Sequence, residues 1–149
     1  MNEFELNSRL LKESTFVTKL TLSQVRLNHD SRFPWLILIP EIAGLKELHE
    51  IPEEQQTIIH KEMIFCSKVL QKFTSADKMN VAALGNLVPQ LHIHVIARKY
   101  NDSAWPQPVW SAGDAKPYEK ESLVKLADDL RDHLLSQSGM GISLTNMGT

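Results

Sequence analysis

Apolar and polar residues follow two different periods along the chain, and each period predicts a type of secondary structure. In residues 16–27 the apolar residues alternate loosely with Thr, Lys, Ser and Arg, which is typical of one half-buried strand. The apolar run 35–39, bounded by prolines, predicts a strand that is buried on both faces, central and antiparallel to its predecessor. Segments 81–84 and 91–97 flank a turn that contains Gly and Pro, so they predict a hairpin.

Helical spacing of apolar residues appears in three other segments. Residues 4–11 predict a short N-terminal helix. Pro52 and the two glutamates after it are typical of the first turn of a helix, and the helical period then continues to Thr74, which predicts the main helix. Residues 123–134 predict a second amphipathic helix. The prolines of residues 101–117 exclude a central strand or a helix interior, so we expect this stretch to cover the surface.

Together these elements predict an α+β fold with an antiparallel sheet of about five strands, one main helix and a C-terminal helix. The length of 149 residues suits one compact core, and we expect a single domain over residues 1–136. Beyond it the periodic pattern gives way to Gly, Ser, Thr and Asn, which predicts a flexible tail over residues 137–149.

Charge and cysteine content narrow the classes of partner and compartment. The formal net charge is −2 with the signs interspersed, so no basic stripe is available for nucleic acid and no nucleic-acid partner is expected. Cys66 is the single cysteine, which excludes an internal disulfide and fits a reducing compartment; its place among apolar helix positions predicts a buried thiol. The acidic N-terminus does not resemble a signal peptide, and no apolar run approaches the roughly 20 residues that cross a bilayer. We therefore expect a cytoplasmic protein without a membrane partner.

Candidate chemistry lies in the last predicted strand. Side chains alternate along a strand, so Gln90, His92 and His94 are expected on one face and their apolar neighbours on the other. With an ordinary pKa of about 6.5, one neutral imidazole can attack phosphorus while its neighbour donates a hydrogen bond. An isolated His-x-His pair fits an exposed face without chemistry equally well, and the flanking sequence decides between the two interpretations.

Residues 85–98, with the sequence GNLVPQLHIHVIAR, closely resemble the signature of the histidine-triad (HIT) family of nucleotide hydrolases and transferases. In that family three histidines alternate on one strand. The resemblance implies that His92 is the middle histidine, which forms a nucleotidyl-histidine intermediate, and that His94 is the third, which binds phosphate. Gln90 replaces the first histidine. The family orients its nucleophile through the backbone carbonyl of this first residue, which glutamine retains, so Gln90→His is expected to preserve activity or raise it.

The resemblance extends upstream to residue 28 and adds candidate substrate contacts. Asn28 resembles the family residue that contacts ribose, Asn80 resembles a polar residue on the strand before the triad, and Asn86 stands where the family often has a glutamine near the phosphates. Leu36 replaces a further histidine, which leaves the group that protonates the leaving group open. Arg32 could either bind a phosphate through two hydrogen bonds or cover apolar surface.

The family also implies a fold and an activity. We expect a HIT-like homodimeric enzyme that needs no cofactor or metal, a nucleotide hydrolase or nucleotidyl transferase. Its substrate would be a dinucleoside polyphosphate or a phosphoramidate, attacked at the α-phosphate. The stretches 32–35 and 105–110 resemble those of a bacterial branch of the family. In the second stretch, Trp105 and Trp110 are expected to anchor the loop rather than to stack on a base.

Two alternatives remain open at this point. His92 and His94 could ligate zinc in a metal-dependent hydrolase if a third ligand such as His60 approached them. The chain could also be a nucleotide-binding protein with little turnover, since it lacks the first triad histidine.

Overall fold

The structure is a computed structural model that describes residues 3–137. It contains a five-stranded antiparallel sheet in the order β1-β2-β3-β5-β4, which confirms the predicted α+β class. The strands are β1 (Ser14–Lys19), β2 (Ser23–Asn28), β3 (Trp35–Pro40), β4 (Lys78–Ala82) and β5 (Ile93–Arg98).

Three α-helices accompany the sheet: α1 (Ser8–Glu13), α2 (Glu53–Thr74) and α3 (Lys120–Ser136). The predicted main helix and C-terminal helix correspond to α2 and α3, which pack against each other and against the sheet. The predicted N-terminal helix corresponds to α1, which begins later than expected, at Ser8. The side chain of Asn7 caps this helix by accepting a hydrogen bond from the Arg9 N–H at 2.9 Å. Of the predicted tail, only Gln137 lies within the described residues.

The segment predicted as one strand over residues 16–27 is two strands, β1 and β2, joined by a tight turn. The Leu20 N–H donates to the Ser23 carbonyl at 2.8 Å across this turn. The carboxylate of Glu62, on α2, accepts the Leu22 N–H at 2.7 Å and the Ser23 N–H at 3.2 Å. The prediction was wrong because a distant carboxylate satisfies the backbone here, while the turn has no glycine or proline to mark it.

The central strand β3 is buried on both faces, as predicted, because each face of the sheet is covered. Leu36 and Leu38 point into a core shared with α2 and α3. Trp35, Ile37 and Ile39 point into a second core, which the N-terminal segment and Val109 of the 101–117 stretch cover. This second side of the sheet carries the candidate site.

The predicted hairpin is present, with β4 paired antiparallel to β5. β5 begins at Ile93 rather than at residue 91, so residues 90–92 belong to the connection and not to the strand. The 101–117 stretch contains only one short 3-10 turn, Val109–Ser111, and otherwise runs irregularly over the surface, as predicted. Within residues 3–137, no helix combines the length and apolar content that crossing a bilayer requires.

Candidate active site

A cavity of about 510 Å³ lies between β5, the loop 85–88, α1 and residues 109–115. This volume is in the range of pockets that bind small molecules. The structure brings some of the predicted site residues together on its wall, namely Asn28, Arg32, Asn86, His92 and His94. Asn80 and Gln90 are not among the lining residues.

His92 is held by the main chain of residue 90. Its Nδ1 lies 2.7 Å from the Gln90 carbonyl oxygen, and a carbonyl only accepts, so Nδ1 carries the proton. In the neutral imidazole the lone pair is then on Nε2, which forms no hydrogen bond within residues 3–137. The neighbouring Gly85 is required for space, since a Cβ there would lie 3.3 Å from His92 Cε1 and 2.6 Å from the Val88 carbonyl oxygen. The site therefore presents one imidazole nitrogen suited to nucleophilic attack.

His94 has both ring nitrogens engaged. The indole N–H of Trp35 donates to Nδ1 at 2.9 Å, so Nδ1 is unprotonated and Nε2–H donates to the Leu84 carbonyl at 3.0 Å. Burial lowers the pKa of His94 from 6.5 to about 4; the bond to Leu84 opposes this shift and the nearby His92 adds to it. His94 is thus a neutral imidazole with a fixed tautomer.

Two tryptophans form an aromatic wall around His94. Its ring centroid lies 5.5 Å from that of Trp35 and 5.0 Å from that of Trp110, and the two indoles are 5.7 Å apart, all in edge-to-face contact. Trp110 is 41% exposed and lines the cavity. Trp105, in contrast, packs against Tyr100 and under the Arg98 guanidinium, which anchors the loop.

The sequence-based predictions did not include Trp35 and Trp110 in the site. For Trp35, the register of paired strands could have indicated it. Ile37 pairs with His94, and Trp35 is two residues from Ile37, so both share the face of His94. No comparable signal was available for Trp110, which lies in an irregular stretch.

Asn28 and His29 add polar groups to the cavity wall. Asn28 ends β2, is half-buried and makes no side-chain hydrogen bond within residues 3–137, so its carboxamide is available to a ligand. The neighbouring His29 has its Nε2 at 2.7 Å from the Thr15 hydroxyl. Burial lowers the pKa of His29, Arg26 adds to this effect and Glu13 opposes it. A neutral imidazole and a free carboxamide suit hydroxyl groups such as those of a ribose.

Arg32 lines the cavity, but its guanidinium is engaged by protein groups. Nε and Nη2 donate to the two carboxylate oxygens of Asp30, at 2.9 and 2.8 Å. Nη1 donates to the Ala112 carbonyl at 2.6 Å and Nη2 to the Gly113 carbonyl at 3.3 Å. These bonds fasten the 101–117 stretch to the turn after β2, a structural role that the sequence did not indicate.

Asn80 and Gln90 have partners outside the cavity. The Asn80 Oδ1 accepts a hydrogen bond from Arg98 Nη1 at 2.8 Å, within a buried network that also includes the Asp102 carboxylate. The Gln90 carboxamide bonds to the main chain of Asn7 and Glu5. Alternation along a strand placed Gln90 with the histidines, but β5 begins only at residue 93, so the rule does not reach residue 90.

The donor set does not favour a metal site. Within residues 3–137, no group of three or more His, Cys, Asp or Glu side chains is placed to hold a metal ion. The candidate third ligand His60 is exposed on α2, and both nitrogens of His94 are engaged as described above. Cys66 is buried, and burial raises the pKa of its thiol, as expected for a packing residue.

Comparisons with known proteins agree on one family. Residues 9–101 match the HIT domain. A histidine triad protein of Sinorhizobium meliloti is 40% identical, with 89% of this chain and 96% of that chain covered and a TM-score of 0.83. A histidine triad protein of Bradyrhizobium japonicum is 37% identical, with 89% of this chain and 99% of that chain covered and a TM-score of 0.85. A histidine triad protein of Marinobacter aquaeolei is 38% identical, with 91% of this chain and 98% of that chain covered and a TM-score of 0.87. A search of curated proteins finds no significant match.

Proposed function

Because this chain belongs to the histidine-triad (HIT) family, we propose that it is a nucleotide hydrolase or nucleotidyl transferase with His92 as its nucleophile. Membership of the family supports a nucleotide-binding or hydrolase role. The observation that carries the finer proposal is the 2.7 Å contact between His92 Nδ1 and the Gln90 carbonyl oxygen, which leaves Nε2 unprotonated at the cavity.

The proposed reaction has two displacement steps at phosphorus. In the first, the Nε2 lone pair of His92 forms a bond to the α-phosphorus, and the bond to the leaving group breaks with its electron pair going to the leaving group. The amine leaving group of a phosphoramidate also takes up a proton from solvent as this bond breaks. The positive charge that develops on the imidazole is stabilised by the hydrogen bond that Nδ1–H donates to the Gln90 carbonyl oxygen. In the second, water or another acceptor attacks phosphorus and gives up a proton to solvent, while the Nε2–P bond breaks and His92 regains its lone pair.

His94 serves in this proposal as a neutral hydrogen-bond donor to a phosphoryl oxygen. Its Nε2–H now donates to the Leu84 carbonyl at 3.0 Å, and the phosphoryl oxygen would replace that acceptor. With its pKa lowered to about 4, His94 carries no charge near neutral pH. It therefore stabilises charge by hydrogen bonding and does not act as a cationic acid.

The other polar groups of the cavity suit the rest of a nucleotide. The free carboxamide of Asn28 is assigned to the ribose, and Asn86, in the loop beside His92, to the phosphates. A dinucleoside polyphosphate or a nucleoside phosphoramidate has both the ribose and the phosphates that these groups would bind. Phosphate binding by Arg32 and a direct substrate contact by Asn80 or Gln90 stay predictions, and the engaged side chains of all three give them no support.

We also propose that the chain forms a homodimer through the β4 edge of the sheet. β4 is the last strand in the sheet order, so its outer edge has no neighbour among residues 3–137. α2 packs against β4, and both expose a large apolar side chain: Ile64 is 44% exposed and Val81 41%. Light scattering should give the mass of a dimer for the native chain and a smaller mass for Val81→Lys.

The experiment that tests the function compares His92→Ala with His60→Ala, a control on the exposed face of α2. Both variants and the native chain are mixed with labelled diadenosine tetraphosphate or adenosine phosphoramidate in single-turnover assays. Acid-labile label on the protein is measured in parallel. We expect His92→Ala to lose turnover by several orders of magnitude together with the protein-bound label, and His60→Ala to retain both.

The alternative functions give different results in the same assay. A binding protein with little turnover would bind AMP but neither release product nor become labelled. A metal-dependent hydrolase would lose activity on chelation and recover it on adding zinc. Turnover retained in His92→Ala would refute the proposed nucleophile.

A further inference from the structure

The side chain of Gln90 joins the N-terminal segment to the part of the chain that carries the histidines. Its Oε1 accepts the Asn7 N–H at 2.9 Å, and its Nε2 donates to the Glu5 carbonyl at 2.9 Å. These two backbone groups flank Leu6, so the carboxamide pairs with them as a peptide group of a neighbouring strand would. Two hydrogen bonds from one planar group fix both the position and the orientation of this segment.

The segment held in this way is the start of α1. Asn7 is the residue that caps the helix. α1 has only six residues, and a helix of this length is not stable without tertiary contacts. Its buried residue, Leu10, packs in the second core with Trp35 and Val88. The C-terminal end of α1 is fixed by β1, which follows it directly, and by the Glu13 carbonyl, which accepts the His29 N–H at 3.0 Å. At its N-terminal end, the location of α1 depends on the apolar contacts of Leu10, Leu6 and Phe4 and on the bonds to Gln90.

α1 is also a wall of the candidate site. Arg9, Leu10, Lys12 and Glu13 all line the cavity that contains the two histidines. A shift of α1 would change the shape of the cavity without moving β5 or the main chain of residue 90.

We propose that the Gln90 carboxamide is a positioning group that holds α1 in place as a wall of the nucleotide site. Residue 90 then supports the site twice, because its carbonyl orients His92 and its side chain holds the wall that α1 forms. Glutamine at this position is a working part of the site rather than the remnant of a histidine. The part of this inference that concerns nucleotide binding rests on the proposed function.

A histidine at position 90 would not reproduce the pairing. The donor and acceptor of a neutral imidazole point away from each other, whereas those of a carboxamide lie side by side. The expectation from sequence, that Gln90→His preserves or raises activity, rests on the backbone carbonyl alone. From the side-chain pairing we expect instead a loosened α1 and weaker nucleotide binding.

The test measures amide hydrogen exchange in the full chain for Gln90→Ala and Gln90→His. Gln56→Ala is the matched control, because Gln56 also bonds to a backbone carbonyl, that of Ile51 at 2.9 Å, but lies outside the cavity. We expect exchange in residues 7–13 to become about tenfold faster in both Gln90 variants, with strand amides unchanged. With AMP as the probe, the Kd should rise about fivefold to tenfold, whereas kcat on diadenosine tetraphosphate should change less, since the carbonyl that orients His92 remains.

Gln90→Glu supplies a conservative variant with a pH signature. A protonated carboxyl has a donor and an acceptor side by side, as a carboxamide has, while the ionised form has only acceptors. Protection of residues 7–13 in this variant should therefore recover toward the native level as the pH falls through the carboxyl pKa, ordinarily about 4.3. The native chain, measured in parallel, corrects for the intrinsic pH dependence of exchange.

Unchanged exchange in residues 7–13 in Gln90→Ala and Gln90→His would overturn the proposal. So would faster exchange with an unchanged Kd for AMP, because α1 would then not be a wall that the nucleotide uses. Failure of the native chain to bind AMP and to become labelled at His92 would instead contradict the proposed function. In that case the exchange data would still decide whether Gln90 holds α1.

Discussion

The indole N–H of Trp35 donates a 2.9 Å hydrogen bond to Nδ1 of His94, and together with the Leu84 carbonyl at Nε2 this bond fixes which nitrogen of His94 carries the proton. Trp35 and His94 lie on adjacent, paired strands, so the relationship is set by the register of β3 and β5. Trp35 thus helps to fix the tautomer of His94, the residue that we propose donates a hydrogen bond to the phosphate.

Trp35→Phe removes the donor and keeps most of the aromatic surface. We expect the Nδ1–H tautomer of His94 to gain population against the tautomer that the Leu84 carbonyl still favours, and kcat to fall about tenfold, as loss of a buried hydrogen bond costs about 1–3 kcal/mol. Nitrogen NMR shifts of His94 report the tautomer, and steady-state kinetics report kcat. Trp105→Phe is the control, since Trp105 lies outside the cavity. A single His94 tautomer in Trp35→Phe would show that the indole does not set it.

The buried state of His94 should make stability depend on pH. Its pKa is about 4 in the folded chain and 6.5 when exposed, so the unfolded chain binds the extra proton between these values. Stability is therefore lost as the pH falls from about 6.5 to about 4, by roughly 3 kcal/mol for a shift of this size. Urea unfolding across this range should show a shallower loss in His94→Gln. Equal pH slopes in the two proteins would contradict the assigned shift.

Gly85→Ala should damage the site more than the fold. The new Cβ would lie 2.6 Å from the Val88 carbonyl and 3.3 Å from His92 Cε1, so the loop or the imidazole must move. We expect kcat/KM to fall by about 100-fold, which equals about 2.7 kcal/mol of transition-state stabilisation. The control is Gly44→Ala, where the φ of +79° predicts a stability loss of about 1–2 kcal/mol but a Cβ would meet nothing within 4 Å. Equal activity of the two variants per folded molecule would argue against a tight fit around His92.

Much of the fold could be predicted from the spacing of apolar residues, and the errors arose where distant parts of the chain meet. β3 could be predicted because a strand buried on both faces has an uninterrupted apolar run. α2 could be predicted because a helix buried along one stripe has apolar residues at helical spacing. The turn between β1 and β2 was missed since Glu62, 40 residues from Leu22, supplies its hydrogen bonds. A pairing of this separation is not visible in a local window.

For the site, alternation placed His92 and His94 together correctly, although His92, like Gln90, precedes β5, and it misplaced Gln90. The role of Arg32 could not be read from sequence either, because its partners Ala112 and Gly113 lie about 80 residues away.

Arg32→Lys distinguishes a phosphate contact from a structural role. Lysine keeps the positive charge but not the planar pair of hydrogen bonds to Asp30. We expect a stability loss of about 1–3 kcal/mol and faster amide exchange near residue 113, with the Kd for AMP nearly unchanged. Arg131→Lys, on the exposed surface of α3, should change none of these. A weakened Kd without a loss of stability would favour the phosphate contact.

The bond that orients His92 ends on a main-chain oxygen, and no amino-acid replacement at residue 90 removes that atom. The side chain at position 90 can therefore change in evolution while His92 stays oriented. Selection at this position then acts on the contacts that the side chain makes. A genome survey that demanded three histidines would overlook proteins built in this way. One that demanded the second and third, and allowed an amide at the first, would collect them.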